Sequence, residues 1–271
     1  MTVDGDNALA ALVSRALGEQ VQGARSEIVT RDDAREIERV HFSQGGRQRS
    51  LLLKRLRPDA AMEVQLLPFL TRKSPFVPLV FARGIPRPRP EARHWLLVED
   101  LSGAPTACDF DPREIVRAKI AIERAVERDG PALGALGVPR RSPAALVELA
   151  ADGIADGELL AEARKAARWL ATWPESLTHG DLVCGNVVRT ERGTVIHEWG
   201  SAFTGCALLD VVRLAADFAS RGEARLGVGL PRLYAEERGT PLSTAALRAA
   251  ELVDKVMRRS VTAPRPDAGS G

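Results

Sequence analysis

The chain has 271 residues, 45% hydrophobic and 27% charged, with a formal net charge of +2. This is enough chain for a sizeable core in one compact unit or two small lobes. The nearly balanced charge gives no reason to expect nucleic-acid binding, and no apolar run is long enough to span a bilayer.

The N-terminal stretch Met1 to Asn7 carries two Asp residues and no basic, apolar leader, so it does not read as a signal peptide and a cytoplasmic protein is expected. Asn7 is expected to cap an opening helix in which Leu9, Leu12, Val13 and Leu17 recur at helical spacing. Strand patterns follow at Glu27 to Thr30, Glu36 to Phe42 and Ser50 to Leu56, with Gln44-Gly45-Gly46-Arg47 as a turn; together they predict an antiparallel meander. Pro58 opens a helix over Asp59 to Leu70. Val77 to Ala82 and His94 to Val98 are two further strands, separated by the stiff basic loop Arg83 to Pro90. The first hundred or so residues therefore read β-β-β-α-β-β after the opening helix.

From Asp111 the pattern is mostly helical. Helices are expected at Asp111 to Arg128, Ser142 to Ala151, Asp156 to Trp173, Ala207 to Ser220, Arg225 to Arg238 and Ser243 to Ser260. Trp169 and Trp173, four apart in the third of these, are expected in the core. A mixed patch at Leu177 to Ala202 holds a hairpin, Asn186 to Arg189 and Thr194 to His197, turning through Thr190-Glu191-Arg192-Gly193. Thr262 to Gly271, rich in Pro, Gly, Ala and Ser, is expected to be a disordered tail. Residues 1–101 and 102–261 are the two expected domains, joined near Gly103-Ala104-Pro105.

The chemistry concentrates in His179-Gly180-Asp181-Leu182-Val183-Cys184-Gly185-Asn186. An Asp on a rigid loop accepts a hydrogen bond from a substrate hydroxyl and aims it at phosphorus. An Asn five positions later offers a side-chain oxygen to magnesium, a hard cation that prefers oxygen ligands. A third oxygen donor, Glu198, follows the hairpin. Cys108, Cys184 and Cys206 are odd in number and widely spaced, which predicts free thiols and no disulfide framework. No Cys and His fall at zinc-ligand spacing, and Cys184 is expected to be a plain packed loop residue.

This segment resembles the catalytic loop of the aminoglycoside phosphotransferase and choline kinase family, relatives of the protein kinases. Ile196-His197-Glu198-Trp199-Gly200-Ser201-Ala202, Gly205 and Asp210-Val211-Val212-Arg213-Leu214-Ala215 continue the likeness. The resemblance implies an α+β, two-lobed, protein-kinase-like fold, with an antiparallel N-terminal sheet plus one helix and a mainly helical C-terminal lobe. It implies ATP and Mg²⁺ as cofactors, with Asp181 as catalytic base and Asn186 and Glu198 as metal ligands. Lys54 would hold the α- and β-phosphates and pair with Glu63; Arg55 competes with Lys54, but Leu52 and Leu56 share the face of Lys54. Backbone groups of Val98, Glu99, Asp100 and Leu101 would read the adenine edge. His179 and Asp210 would brace the loop, Asp210 by accepting backbone hydrogens at a helix start.

The sequence departs from that pattern at three places. Arg31-Asp32-Asp33-Ala34-Arg35, where the nucleotide loop should lie, has no glycine, and two aspartates facing a polyphosphate would repel it. Glu198 stands where the family has Asp. Val183 stands where the family often has His, and the helical lobe is short. Two readings stay open: a kinase moving the γ-phosphate of ATP to a small hydroxylated molecule, and a pseudokinase-like binding or regulatory module. The expected partner is a small molecule, with no nucleic acid and no membrane, on a monomer or weak dimer. Asp152, Asp156 and Glu158 are candidates for an acidic cleft that would suit a cationic acceptor, or for a solvated face.

Overall fold

The computed structural model describes residues 3–60, 62–85 and 93–262. The chain forms two compact units, Met1–Ala104 and Pro105–Gly271.

The first unit opens with helix α1 (Val3–Leu17), followed by β1 (Gln22–Arg31), β2 (Arg35–Gln44) and β3 (Arg47–Leu56). Helix α2 (Met62–Thr71), β4 (Val80–Gly84) and β5 (His94–Glu99) complete it. The five strands form one antiparallel sheet in the order β1-β2-β3-β5-β4. Strand alternation sorts their side chains between two faces. Leu51 and Leu53 of β3 join Val40, Phe42 and Leu97 under Leu9 and Val13 of α1. Lys54, the next residue, turns to the other face and meets α2. Pro68 lies inside α2 and cannot donate to the Val64 carbonyl four residues earlier. Arg83 on β4 donates to that carbonyl instead, at 3.4 Å.

The second unit begins with α3 (Pro112–Val126), α4 (Gly130–Ala135), the short strand β6 (Arg140–Arg141), α5 (Pro143–Ala151) and α6 (Gly157–Leu170). Asp111, Ser142 and Asp156 cap α3, α5 and α6 by accepting from Arg113, Ala145 and Leu159 amides; each such cap is worth about 1 kcal/mol. Strands β7 (Glu175–Thr178), β8 (Val187–Thr190), β9 (Gly193–Ile196) and β10 (Phe203–Cys206) follow, then α7 (Leu208–Ser220), α8 (Ala224–Gly227), α9 (Leu230–Glu237) and α10 (Thr244–Thr262). Strand β10 lies between β6 and β7, parallel to the first and antiparallel to the second. A Cβ at Gly205 would stand 2.4 Å from the Arg141 carbonyl oxygen, so this packing of β6 on β10 requires glycine. β8 and β9 form the expected hairpin, closed at Gly193 with φ 101°. α10 packs on α5, α6 and α7.

Several sequence expectations are corrected. α1 begins at Val3, so Asn7 lies inside it and caps nothing. The expected helix at 225–238 is two helices, because Gly229 takes a left-handed conformation with φ 85° between α8 and α9. β6, β7, β10 and α4 were not expected from the sequence; none exceeds six residues, too short for a periodic signal. Trp173 is buried, but Trp169 is 64% exposed. α6 ends at Leu170, so the chain has left the helix before Trp173 and the two rings do not share its face. Thr262 closes α10, and the rest of the expected tail lies outside the described residues, as does the basic loop from Pro86 to Pro90. No helix among the described residues is long and apolar enough to cross a membrane.

Candidate active site

The segment from His179 to Asn186 leaves β7 and reaches β8 with the amides of His179, Gly180, Asp181, Cys184 and Asn186 all hydrogen-bonded. Asp210, in the first turn of α7, accepts the amide hydrogens of His179 at 2.7 Å and Gly180 at 2.9 Å. It braces the loop across space and leaves its own helix uncapped by a side chain. The Nδ1 atom of buried His179 accepts from the Asp181 amide at 3.2 Å, which assigns the ring proton to Nε2; that atom donates to the His197 carbonyl at 2.8 Å. Burial holds this imidazole below its ordinary pKa, with Asp210 working the other way. The ring meets the buried Trp199 edge-on at 4.7 Å, and the Trp199 indole donates to the Ile196 carbonyl. Phe203 pairs with Thr178, so the loop leaving β7 passes the residues entering β10. There a Cβ at Gly180 would stand 2.2 Å from the Ser201 carbonyl oxygen, and Gly180 has φ 82°. Only glycine satisfies both conditions.

Asp181 emerges from this brace with its side chain 46% exposed. Asn186 Nδ2 donates to the Asp181 carbonyl oxygen at 2.8 Å and lies 3.3 Å from Asp181 Oδ2. With its amide nitrogen so occupied, Asn186 keeps its oxygen for another partner. The His197 amide donates to the Asn186 carbonyl at 2.9 Å, so the hairpin brings Asn186 and Glu198 to one end. Glu198 has φ 65° and ψ 55°, and it is the one non-glycine residue at positive φ among the described residues. Such a residue costs roughly 1–3 kcal/mol and persists only where its surroundings enforce it. The donors offered here are a carboxamide oxygen and a carboxylate. No cluster of three or more His, Cys, Asp or Glu able to hold a metal exists among the described residues. That set fits magnesium, which takes few protein ligands and keeps water and phosphate oxygens.

In the first unit, Lys54 Nζ lies 3.2 Å from Glu63 Oε1 and both side chains are 5% exposed. Arg55 lies on the opposite face, paired with Glu36 and Glu38 of β2. Of the four residues expected to read an adenine, Val98 pairs with Leu52 and Val80 in the sheet, and the Glu99 amide donates to the Leu79 carbonyl. Asp100 and Leu101 lie past the strand end. Burial works against charge on Asp100, but Ser102, Ser50 and Arg39 outweigh it and hold its carboxyl below the usual range. Asp32 lies in the glycine-free turn where two aspartates were expected to repel a polyphosphate. Asp32 Oδ1 accepts from the amides of Ala34 and Arg35, both at 2.8 Å, so this carboxylate is folded onto the loop's own donors.

The sequence profile of the phosphotransferase enzyme family matches residues 13–247. The chain belongs to this family. No curated protein matches the sequence. Among solved structures, an aminoglycoside-3'-phosphotransferase of type VIII aligns over 94% of this chain and 100% of its own, with TM-score 0.58 and 21% identity. An aminoglycoside phosphotransferase APH(3'')-Id from Streptomyces rimosus, in complex with ADP and streptomycin, aligns over 92% and 98%, with TM-score 0.59 and 17% identity. A choline/ethanolamine kinase family protein from Mesorhizobium loti aligns over 98% and 89%, with TM-score 0.58 and 18% identity. The phosphotransferase thus has the protein-kinase-like fold of these proteins.

Two charged groups of the phosphotransferase escaped the sequence reading. Lys119 of α3 is fully buried and donates to Glu123 and to the Leu177 carbonyl at 2.8 Å, with Asp210 Oδ2 at 3.2 Å. Tyr234 of α9 donates to the other oxygen of Glu123 at 2.8 Å. Burial opposes the charge of Lys119, but Glu123 and Asp210 outweigh it and raise its pKa. Arg213 of α7 donates to Asp181 and to Asp254 of α10. Each has a sequence signal, a cation flanked by apolar residues in a helical run: Lys119 in Ala-Lys-Ile-Ala-Ile at 118–122 and Arg213 in Val-Val-Arg-Leu-Ala at 211–215. Cys184 and Cys206 are buried free thiols, and burial pushes Cys206 up to about 12. Of the acidic trio, Asp156 is spent on capping α6 and on Arg259 at 3.7 Å, and Asp152 closes α5.

Proposed function

We propose that the protein transfers the γ-phosphate of Mg-ATP to a hydroxyl group of a small molecule. Asp181 orients the hydroxyl and takes its proton. Asn186 and Glu198 hold magnesium, which supplies positive charge to the phosphates. Lys54, fixed by Glu63, neutralises the α- and β-phosphates, and the backbone past Val98 and Glu99, at Asp100 and Leu101, reads the adenine edge. The first unit is accordingly nucleotide-binding and the second catalytic. The observation that carries this reading is the braced loop: Asp210 and His179 fix the backbone around a half-exposed Asp181 whose neighbour Asn186 turns its amide nitrogen inward. Phosphoryl transfer depends mainly on positioning and charge stabilisation, and a rigid loop supplies the first.

A pseudokinase-like binding module is the second reading, and one observation favours it. Asp32 occupies the amides of Ala34 and Arg35, the donors that a phosphate would need from a glycine-free turn. A γ-phosphate transfer screen over hydroxylated metabolites and antibiotics, with Asp181→Asn as the blank, separates the two. Transfer by the wild type alone supports the enzyme. Absence of both transfer and magnesium-dependent ATP binding in calorimetry supports the binding module.

A further inference from the structure

Helix α7 carries three charged residues on one stripe, Asp210, Arg213 and Asp217, spaced three and four apart as helical geometry requires for a shared face. Each grips the loop at a different point. Asp210 holds the amides of His179 and Gly180. Asp217 Oδ2 accepts the Cys184 amide at 2.8 Å and is steadied by Arg221 Nε at 3.0 Å. Arg213, between them, holds the side chain of Asp181: its Nη1 donates to Asp181 Oδ1 at 2.8 Å. Its Nε donates to Asp254 Oδ1 at 3.0 Å, and Asp254 Oδ2 in turn accepts from Arg258 Nε at 2.8 Å. Asp254 is buried with its side chain 2% exposed, and Arg213 is 9% exposed. The guanidinium is therefore clamped from behind by α10 and presents a fixed donor to a carboxylate that is otherwise half in solvent.

We propose that Arg213 is a positioning residue that sets the aim of Asp181, and that Asp254 is its anchor. This rests on the phosphotransfer reading. Arg213 ties down Oδ1 at 2.8 Å, so the acceptor is met at Oδ2, whose longer contact is Asn186 Nδ2 at 3.3 Å. In the step it serves, the acceptor oxygen bonds to the γ-phosphorus and the bond from that phosphorus to the bridging oxygen breaks. ADP leaves with the electron pair, and the hydroxyl proton passes to Asp181. A loose transition state of this kind asks a base for aim more than for strength, which is why a neighbouring cation is compatible with the role. Lysine cannot replace the arginine, because a single ammonium lacks the fork that reaches two carboxylates at once.

The test is a double-mutant cycle on the full chain, with Mg-ATP and an acceptor from the screen. Arg213→Met is expected to lower kcat by roughly 100-fold, the cost of a misplaced reacting group, with KM for Mg-ATP within about twofold of wild type. In the Asp181→Asn background the same substitution is expected to cost less than about twofold more, since its target is already gone. If Arg213→Met does not fold, Arg213→Lys carries the test: it keeps Asp254 paired, and a native melting temperature with kcat down about tenfold is expected. An active wild type with kcat unchanged in the variant, or an equal loss in both backgrounds, overturns the assignment of Arg213 alone. A wild type silent toward every acceptor overturns the phosphotransfer reading and this role with it.

Discussion

Lys119 Nζ stands 3.2 Å from Asp210 Oδ2, the same oxygen that accepts the amide hydrogen of His179. One buried cation thus lies beneath the carboxylate that braces the catalytic loop. Replacing it with Met would remove the Lys119 charge from buried Asp210 and leave Glu123 to Arg238 Nε at 3.5 Å. Breaking a buried pair in this way costs about 3–5 kcal/mol. Lys119→Met is expected to lower the denaturant midpoint accordingly, with the slope of the unfolding free energy unchanged.

Gly180→Ala meets two obstacles at once. The new Cβ would fall 2.2 Å from the Ser201 carbonyl oxygen, which is backbone and cannot swing away, at a residue with φ 82°. A left-handed non-glycine residue and an overpacked contact together cost about 2–5 kcal/mol. A clear drop in melting temperature is expected, and a variant as stable as wild type would show that the loop does not pass Ser201 this closely.

The buried His179 ring gives stability a pH dependence on the acid side. Burial holds its folded-state pKa below the unfolded value. Between those two values the unfolded chain binds the extra proton, so stability rises with pH there. The contribution is complete above about 6.5, the unfolded value for histidine, and is lost as pH falls below it toward the folded value. Unfolding measured at pH 7 and pH 5.5 is expected to show this loss, and His179→Gln is expected to reduce it.

Glu198 pays for its left-handed backbone, with φ 65°. Asp and Asn tolerate that region better than longer side chains, and a shorter carboxylate suits the tight octahedron of magnesium. Glu198→Asp is expected to bind Mg-ATP at least as tightly as wild type in calorimetry and to melt no lower. A large loss of affinity would mean that the longer side chain is the one this site is built around.

What was legible in the sequence was contiguous. His179, Asp181 and Asn186 lie on one short loop, and Lys54 and Glu63 lie in adjacent elements, so the family resemblance could be carried onto them residue by residue. Arg213 and Lys119 were missed because their partners are distant in the chain: Asp181 and Arg213 are 32 residues apart, and Lys119 and the Leu177 carbonyl 58. Folding brings them together through the packing of α3, α7 and α10, which no local pattern encodes. The four-residue strands β7 and β10 were invisible for a related reason, since β7 pairs with β10 and β10 with both β7 and β6, all distant in the chain. Trp169 misled because helical spacing to Trp173 means a shared face only while the helix continues. The hydrogen bonds of Asp32 to the Ala34 and Arg35 amides were not legible either, because charge counting does not reveal that a short carboxylate can satisfy its own backbone.

The most direct measurement is transfer of labelled γ-phosphate by wild type and Asp181→Asn, with Mg-ATP affinity of both determined by calorimetry. The account predicts that the variant binds Mg-ATP as the wild type does while transfer to the acceptor falls by about 10³-fold. Equal turnover in the variant, or its loss together with nucleotide affinity, would contradict the placement of Asp181 at the centre of the reaction.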